Sequence, residues 1–320
     1  MRRTRLAAAL LVPLAIAALP ALPTSAAPAA GNPVELTDGF YVDPDSNPAE
    51  WVRDNPDHPD AAVINTEIAE RAGARWFGDW SGDITSAVAD YTTAAAEVNK
   101  LPVLVAYNIP GRDCHGHSGG GAGSPAAYRT WISQFADGIG DRPAVVIIEP
   151  DALAQLDCMP EEDRPVRIDL LHDAVDQFAA KNPNTWAYMD GGHSDWIDAA
   201  EMANRLQQVE VGKIRGFALN TSNYYTTEES VAYGDAVQSA LGGTSQFVVD
   251  TSRNANGSAG PDQWCNPDGR KLGVASQTSD NAELLLWVKV PGDSDGDCGI
   301  GAGIPAGTFS PDLAMVLING

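Results

Sequence analysis

At 320 residues, 44% of them hydrophobic, the chain can bury one large core; its formal net charge of −23 sets it against nucleic acid and anionic membrane surfaces, which carry the same sign. That balance suits a soluble protein, expected as a monomer, with a neutral substrate. Acidity by itself names no function.

The first segment of the chain is an address. Arg2, Arg3 and Arg5 precede an apolar run over residues 6–19 and the small-residue stretch Thr24-Ser25-Ala26-Ala27. That order, with so short an apolar core, reads as a cleaved secretory signal rather than a membrane anchor. Cleavage is expected between Ala26 and Ala30, giving a leader over 1–30 and one domain over 31–320. Losing the three arginines takes the formal charge from −23 to −26. No later apolar stretch is long enough to span a bilayer, so the protein is expected outside the cell.

From about residue 60 two textures alternate. Apolar, β-rich runs lie at 102–108 (PVLVAYN), 144–149 (AVVIIE), 185–189 (TWAYM), 216–219 (GFAL), 246–249 (QFVV) and 284–290 (LLLWVKV), with one or two more strands expected over 61–77. Near-continuous apolar runs are what parallel strands covered on both faces require. Helical stretches separate them at 84–100, 126–139, 164–181, 198–209 and 227–241. The alternation predicts an α/β fold with a parallel sheet, open or closed into a barrel. There is no internal repeat.

The strand ends carry the chemistry. Arg112-Asp113 follows the first run, Glu149-Pro150-Asp151 closes the second and Asp190 ends the third. Asn220 and Asn223 follow the fourth, Asp250 the fifth, and Lys289, Asp293 and Asp295 the last. Asp and Asn also favour turns, but polar groups after every readable strand match the face on which parallel barrels build active sites. Carboxylates in number suit glycosidic bond cleavage, which needs an acid for the leaving oxygen and a carboxylate to handle water or the anomeric carbon. Asp151, after Val145-Val146-Ile147-Ile148 and near Glu149, is placed for a raised pKa and so for the acid. Asp113, Asp190 and Asp295 would tune it and direct water. Of the aromatics, Trp76, Tyr107, Trp196, Trp264 and Trp287, the loop residues Trp196 and Trp264 are the better sugar platforms, and Trp287 reads as core.

Four cysteines after a secretory signal favour two disulfides. Three pairings are possible, of which Cys114–Cys158 with Cys265–Cys298 is preferred. No zinc spacing is present, His115 and His117 form an HxH pair without a third ligand, and no HExxH occurs. Asp293, Asp295 and Asp297 imitate the start of a calcium loop, which fails at Cys298 and Ile304. Neither a metal nor a cofactor is expected.

Several longer stretches resemble glycoside hydrolase family 6. VAYNIPGRDC (105–114) resembles its first signature and VIIEPDAL (146–153) its second. DGGHSDW (190–196), NTSNY (220–224), WCNP (264–267) and KVPGDSDG (289–296) follow in family order. The resemblance implies a single distorted β/α barrel, inversion at the anomeric carbon, no cofactor and β-1,4-glucan as substrate. It casts Asp151 as general acid, Asp113 as the neighbour that keeps it protonated and relays a proton, Asp295 as the base and Asp190 as a supporting carboxylate. Tyr107 matches a tyrosine that crowds the sugar being cleaved; Trp76, His193, Trp196, Asn223, Trp264, Lys289 and Asp293 match sugar-contacting positions. Three departures concern geometry: His115 where a small residue is usual, Asp293 where glutamate is common, and Asp297 as an insertion before Cys298. The expected activity is cleavage within chains, because only 38 residues separate Asp151 from Asp190 and the stretch from Asn223 to Asp295 must supply two strands, a helix and the Trp264 loop. The alternatives are a cellobiohydrolase of the same family and a non-catalytic glucan-binding protein.

Overall fold

The computed structural model describes residues 31–260 and 263–320. The expected secretory leader lies outside the described residues.

Eight strands make one sheet: β1 (Arg75–Phe77), β2 (Val103–Ala106), β3 (Ala144–Ile148), β4 (Thr185–Asp190), β5 (Gly216–Leu219), β6 (Gln246–Asp250), β7 (Gln277–Thr278) and β8 (Leu284–Leu286). Seven run parallel in the order β1-β2-β3-β4-β5-β6-β8, and β7 is a short antiparallel addition on β8. The sheet curls until its outer parallel strands meet. No ladder joins them; instead Ala74 N–H donates to the Trp287 carbonyl (2.9 Å) and the Trp76 indole N–H to the Val288 carbonyl (2.8 Å). The result is the distorted β/α barrel that the resemblance implies, and it settles the open-or-closed alternative in favour of closure.

Period-two alternation divides the strand residues between two cores. Val103, Val105, Val145, Ile147, Tyr188, Ala218, Val248, Leu284 and Leu286 point into the barrel. Their neighbours Leu104, Ala106, Val146, Ile148, Met189, Phe217, Leu219, Phe247, Val249 and Leu285 point out, under the helices. Those helices are α3 (Ile84–Glu97), α4 (Pro125–Ile139), α5 (Arg164–Lys181), α6 (Ala199–Gln208) and α7 (Thr227–Ala240), each within a few residues of the predicted stretch. Their starts follow capping chemistry: Asp83 and Ser124 accept from the amides of Ser86 and Ala127, and Thr226 with Glu229 forms a capping box.

The region 61–77, expected to hold one or two strands, holds one. That strand is Arg75–Phe77; α2 (Ala61–Ile64) and a following π-helical turn (Asn65–Ala69) take the rest. Ala61, Ile64 and Ile68 recur at helical spacing, and Ile64 and Ile68 pack with Ala314 of the terminal helix α8 (Pro311–Asn319) and with Trp51 of α1 (Asn47–Asp54). Both cysteine pairs are bonded as preferred, Cys114 to Cys158 and Cys265 to Cys298.

Candidate active site

At the C-terminal ends of β2, β3 and β5 and in the loop after β6 the backbone is forced into unusual conformations. Among the described residues nine non-glycine residues have positive φ, and seven of them (Asp113, Cys114, Glu149, Asp151, Asn220, Ser222 and Asn266) lie in these loops. Strain gathered on one face of a barrel is characteristic of sites where geometry is enforced. Here two buried carboxylates enforce it. Glu149, fully buried, accepts from the amides of Asn108 and Ile109 (3.0 Å each). Asp250, 1% exposed, accepts from the amides of Ser222 (2.9 Å), Ser252 (2.9 Å), Val288 (3.2 Å) and Lys289 (3.0 Å). These amides would otherwise extend β2 and β8, which explains why both strands stop short of the predicted 108 and 290.

Asp151 follows β3 in a left-handed conformation, φ 69°, and its amide donates to Asp190 Oδ1 (3.0 Å). Desolvation raises its pKa well above the usual carboxylate range, and the charges of Asp190, Asp113 and Asp295 add to the rise. Asp190, at the end of β4 and 1% exposed, also accepts from Gly192 N (3.0 Å); burial lifts its pKa to about 6 against the pull of those amides. Asp113 is partly exposed, and its Oδ2 accepts from the Ser118 amide (2.7 Å). The Cys114–Cys158 bond ties its loop to the segment after Asp151.

Asp295 lives in the opposite field. Burial alone would raise its pKa, yet it falls to about 2 because Arg253 (2.9 Å) and Lys289 (3.2 Å) flank the carboxylate. The Tyr224 hydroxyl (3.0 Å) and the Asn266 amide (3.1 Å) also donate to it. Two positive side chains already occupy the surroundings of this carboxylate, where the calcium reading would need an ion. Asp293 is buried too: Asn47 donates to its Oδ2 (2.8 Å), its Oδ1 has no partner, and desolvation lifts its pKa to about 7.

The aromatic positions expected to meet sugar lie on β1 or in the loops that follow β2, β4 and β6. Tyr107, 6% exposed, meets Trp76 edge to face at 5.2 Å, and burial keeps it a neutral phenol. Trp76 is half-buried, with its indole N–H committed to the barrel seam. His193 stacks on Tyr225 at 4.5 Å and lies 5.3 Å from Trp196; burial lowers its pKa to about 4, so it is neutral. Asn223 spends its side-chain oxygen on the Tyr224 amide (3.2 Å). Trp287 is core, 3% exposed, as expected. Arg253, Tyr224 and Asn266 were not singled out from the sequence. Arg253 had one signal, a cation three residues past a strand-end aspartate among many carboxylates.

Among the described residues two groupings have metal-like composition. His117 with Cys265 and Cys298 offers no thiolate, because those cysteines are bonded to each other. His172, Asp176 and Glu210 lie around the Lys213 ammonium, which contacts all three and fills the place of a cation.

A barrel with a crowd of buried carboxylates at its strand ends defines a hydrolase of the glycoside-cleaving class. Residues 36–318 match the glycosyl hydrolases family 6, and the chain belongs to that family. It is 51% identical to Endoglucanase 1 of Streptomyces halstedii, over 99% of this chain and 98% of that protein. It is 41% identical to Endoglucanase A of Thermobispora bispora, over 90% of this chain and 64% of that longer protein. The solved endoglucanase Cel6 from Mycobacterium tuberculosis, in complex with methyl-cellobiosyl-4-deoxy-4-thio-β-D-cellobioside, superposes with a TM-score of 0.83 at 39% identity, covering 90% of this chain and 99% of that one.

Proposed function

We propose that this chain is a secreted, inverting endo-β-1,4-glucanase. One observation carries the reading: Asp151, buried and facing three carboxylates, is pushed toward its protonated form, while Asp295, between Arg253 and Lys289, is pushed toward its ionised form, the division of labour that glycosidic cleavage demands. In this reading Asp151 protonates the leaving oxygen. Asp190 and Asp113 sustain its proton, and Asp113 relays a proton from the attacking water. Asp295 is the base; with Arg253 and Lys289 on it, it accepts a proton weakly, so its charge facing the developing cation and its hold on water matter more than its basicity. Tyr107 crowds the sugar at the cleavage point. Trp76, His193, Trp196, Asn223, Trp264, Lys289 and Asp293 contact the glucan.

Inversion requires room for water, a carboxyl separation of roughly 6.5–9.5 Å between Asp151 and Asp295 with substrate bound. The decisive test is the product anomer by NMR during hydrolysis of a cello-oligosaccharide: α-product is expected, and initial β-product overturns inversion. Release of reducing sugar should be indifferent to a chelator. No hydrolysis of any β-1,4-glucan would leave the binding-protein reading standing.

Cleavage within chains is supported by the segment between Asp151 and Asp190, which is filled by two 3₁₀ turns, α5 and β4 and leaves no lid. A second reading, cellobiohydrolase, draws on different loops. The described residues of 107–124 and 251–276 hold no longer helix or ladder strand, and the His117 ring of the first lies 6.2 Å, centre to centre, from the Trp264 ring of the second. Carboxymethyl-cellulose viscosity should fall steeply while few reducing ends appear; abundant cellobiose with slow viscosity loss reverses the choice. Secretion is tested by N-terminal sequencing of the extracellular protein, with a start after Ala26 to Ala30 expected.

A further inference from the structure

Among the described residues only three Trp, Tyr or Phe side chains are largely exposed: Trp80 at 56%, Trp264 at 44% and Trp196 at 38%. They follow β1, β6 and β4 respectively, so all three stand in loops on the catalytic rim. Single exposed hydrophobic residues are ordinary on any surface. Confinement of every exposed indole to one rim is not, and Trp80 is the member of the set to which no role has been given.

Its ring is held, not loose. The Arg112 guanidinium lies over it at 5.0 Å and over the Tyr107 ring at the same 5.0 Å, so one cation joins Trp80 to the phenol beside the candidate acid. Arg112 is itself buried, 6% exposed, with bonds to Asp79 (2.8 Å), the Ser118 carbonyl (2.8 Å) and the Tyr107 carbonyl (3.2 Å). On the backbone side, a Cβ at residue 78 would come within 2.3 Å of the Trp80 ring. Only glycine lets the indole lie that close, and the bond from Gly78 N to the Ser81 hydroxyl (3.0 Å) fixes the turn. An exposed ring whose rotamer freedom is already lost on folding gains more from a ligand than a mobile one, because binding need not order it.

We propose that Trp80 is a sugar platform, the floor of a further glucosyl subsite at the end of the row Trp76, Tyr107, Arg112. It takes a pyranose ring of the β-1,4-glucan lying beyond the units at the cleavage point, through the apolar C–H face that flat indoles accept. A neutral sugar also suits this rim, whose surroundings are rich in carboxylates. The proposal rests on the glucanase reading and deepens it.

The test compares kcat/KM on cellotriose through cellohexaose for the native enzyme, Trp80→Ala, Trp80→Tyr and Gly78→Ala, with thermal midpoints as a folding control. Trp80→Ala should lose on the order of tenfold on the longest substrates, the factor that about 1.4 kcal/mol makes, and almost nothing on the shortest that the enzyme cleaves. Trp80→Tyr should restore most of the loss. Gly78→Ala, which displaces the ring without removing it, should reproduce the length dependence, and it decides the matter if Trp80→Ala fails to fold. Equal loss at every length, or no loss at any, overturns the subsite. A native enzyme inactive on every length would instead sink the glucanase reading, a separate result.

Discussion

Asp151 faces three carboxylates, whereas Asp295 sits between Arg253 and Lys289. Two unit charges 4 Å apart at the effective dielectric of a protein interact by about 4 kcal/mol, enough to separate the protonation of two chemically identical groups. Replacing Asp151 by Asn should cut turnover of unactivated glucan on the order of 10²–10⁴-fold, with a smaller loss on glycosides whose leaving groups are acidic enough to depart unprotonated. Near-native cellulose turnover by that variant would remove Asp151 from the role. Asp190→Asn tests the tuning. An acid catalyst works while protonated, so the rate falls as pH rises through the Asp151 value. Removing the Asp190 charge lowers that value, and the alkaline limb of kcat/KM should move to lower pH; a limb that stays in place means that Asp190 does not tune the acid.

Elements end here where side chains capture their amides. The Asp250 carboxylate binds the loops after β5, β6 and β8 together, and those loops carry Asn223, Arg253 and Lys289. Asp250→Ala leaves four backbone donors without an acceptor and should destabilise the fold by about 3 kcal/mol or more, with Asp250→Asn intermediate, as read by denaturant unfolding. A change within the error of the measurement would show that solvent replaces the carboxylate. The disulfides act on the same loops by a different route: with separations of 44 and 33 residues, each restricts the unfolded chain by roughly 4 kcal/mol in the chain-entropy picture. Replacing Cys114 and Cys158 together by Ser should lower stability by an amount of that order, and an unchanged unfolding midpoint would contradict it.

Across the whole molecule the buried acids set how stability depends on pH. Folding raises Glu149 and Asp293 to about 7 and Asp190 to about 6, chiefly by burial. An acid whose pKa is higher in the folded state stabilises fully below its unfolded value, and that contribution is lost as pH rises through the folded one. Asp295, held near 2, works the other way: its contribution is present above the unfolded value and is lost only as pH falls toward 2. Growing negative charge adds self-repulsion in the same direction as the raised acids. The unfolding free energy should therefore decline between about pH 4.5 and 7, and Glu149→Gln should make the decline shallower by roughly 3 kcal/mol. A free energy flat across that interval, or identical slopes for both proteins, would count against these protonation states.

The sequence by itself determined the parallel sheet, because strands buried on both faces must be written as apolar runs, and β3, β5 and α5 could be placed almost to the residue. It also determined which face bears the chemistry, since acids and amides recur after each run, and it contained the cysteine pairing as the preferred of three. What it left undecided depends on partners distant in the chain. The ends of β2 and β8 are set by Glu149 and Asp250 reaching across loops. The closure of the barrel rests on a seam between residues 74 and 287 that no local pattern records. Arg253 and Trp80 have no assigned role in the sequence; the fold brings one against Asp295 and sets Arg112 over the other. A raised pKa for Asp151 was legible in its apolar run, but the cations that hold Asp295 down were not: that field exists only once the loops are folded together.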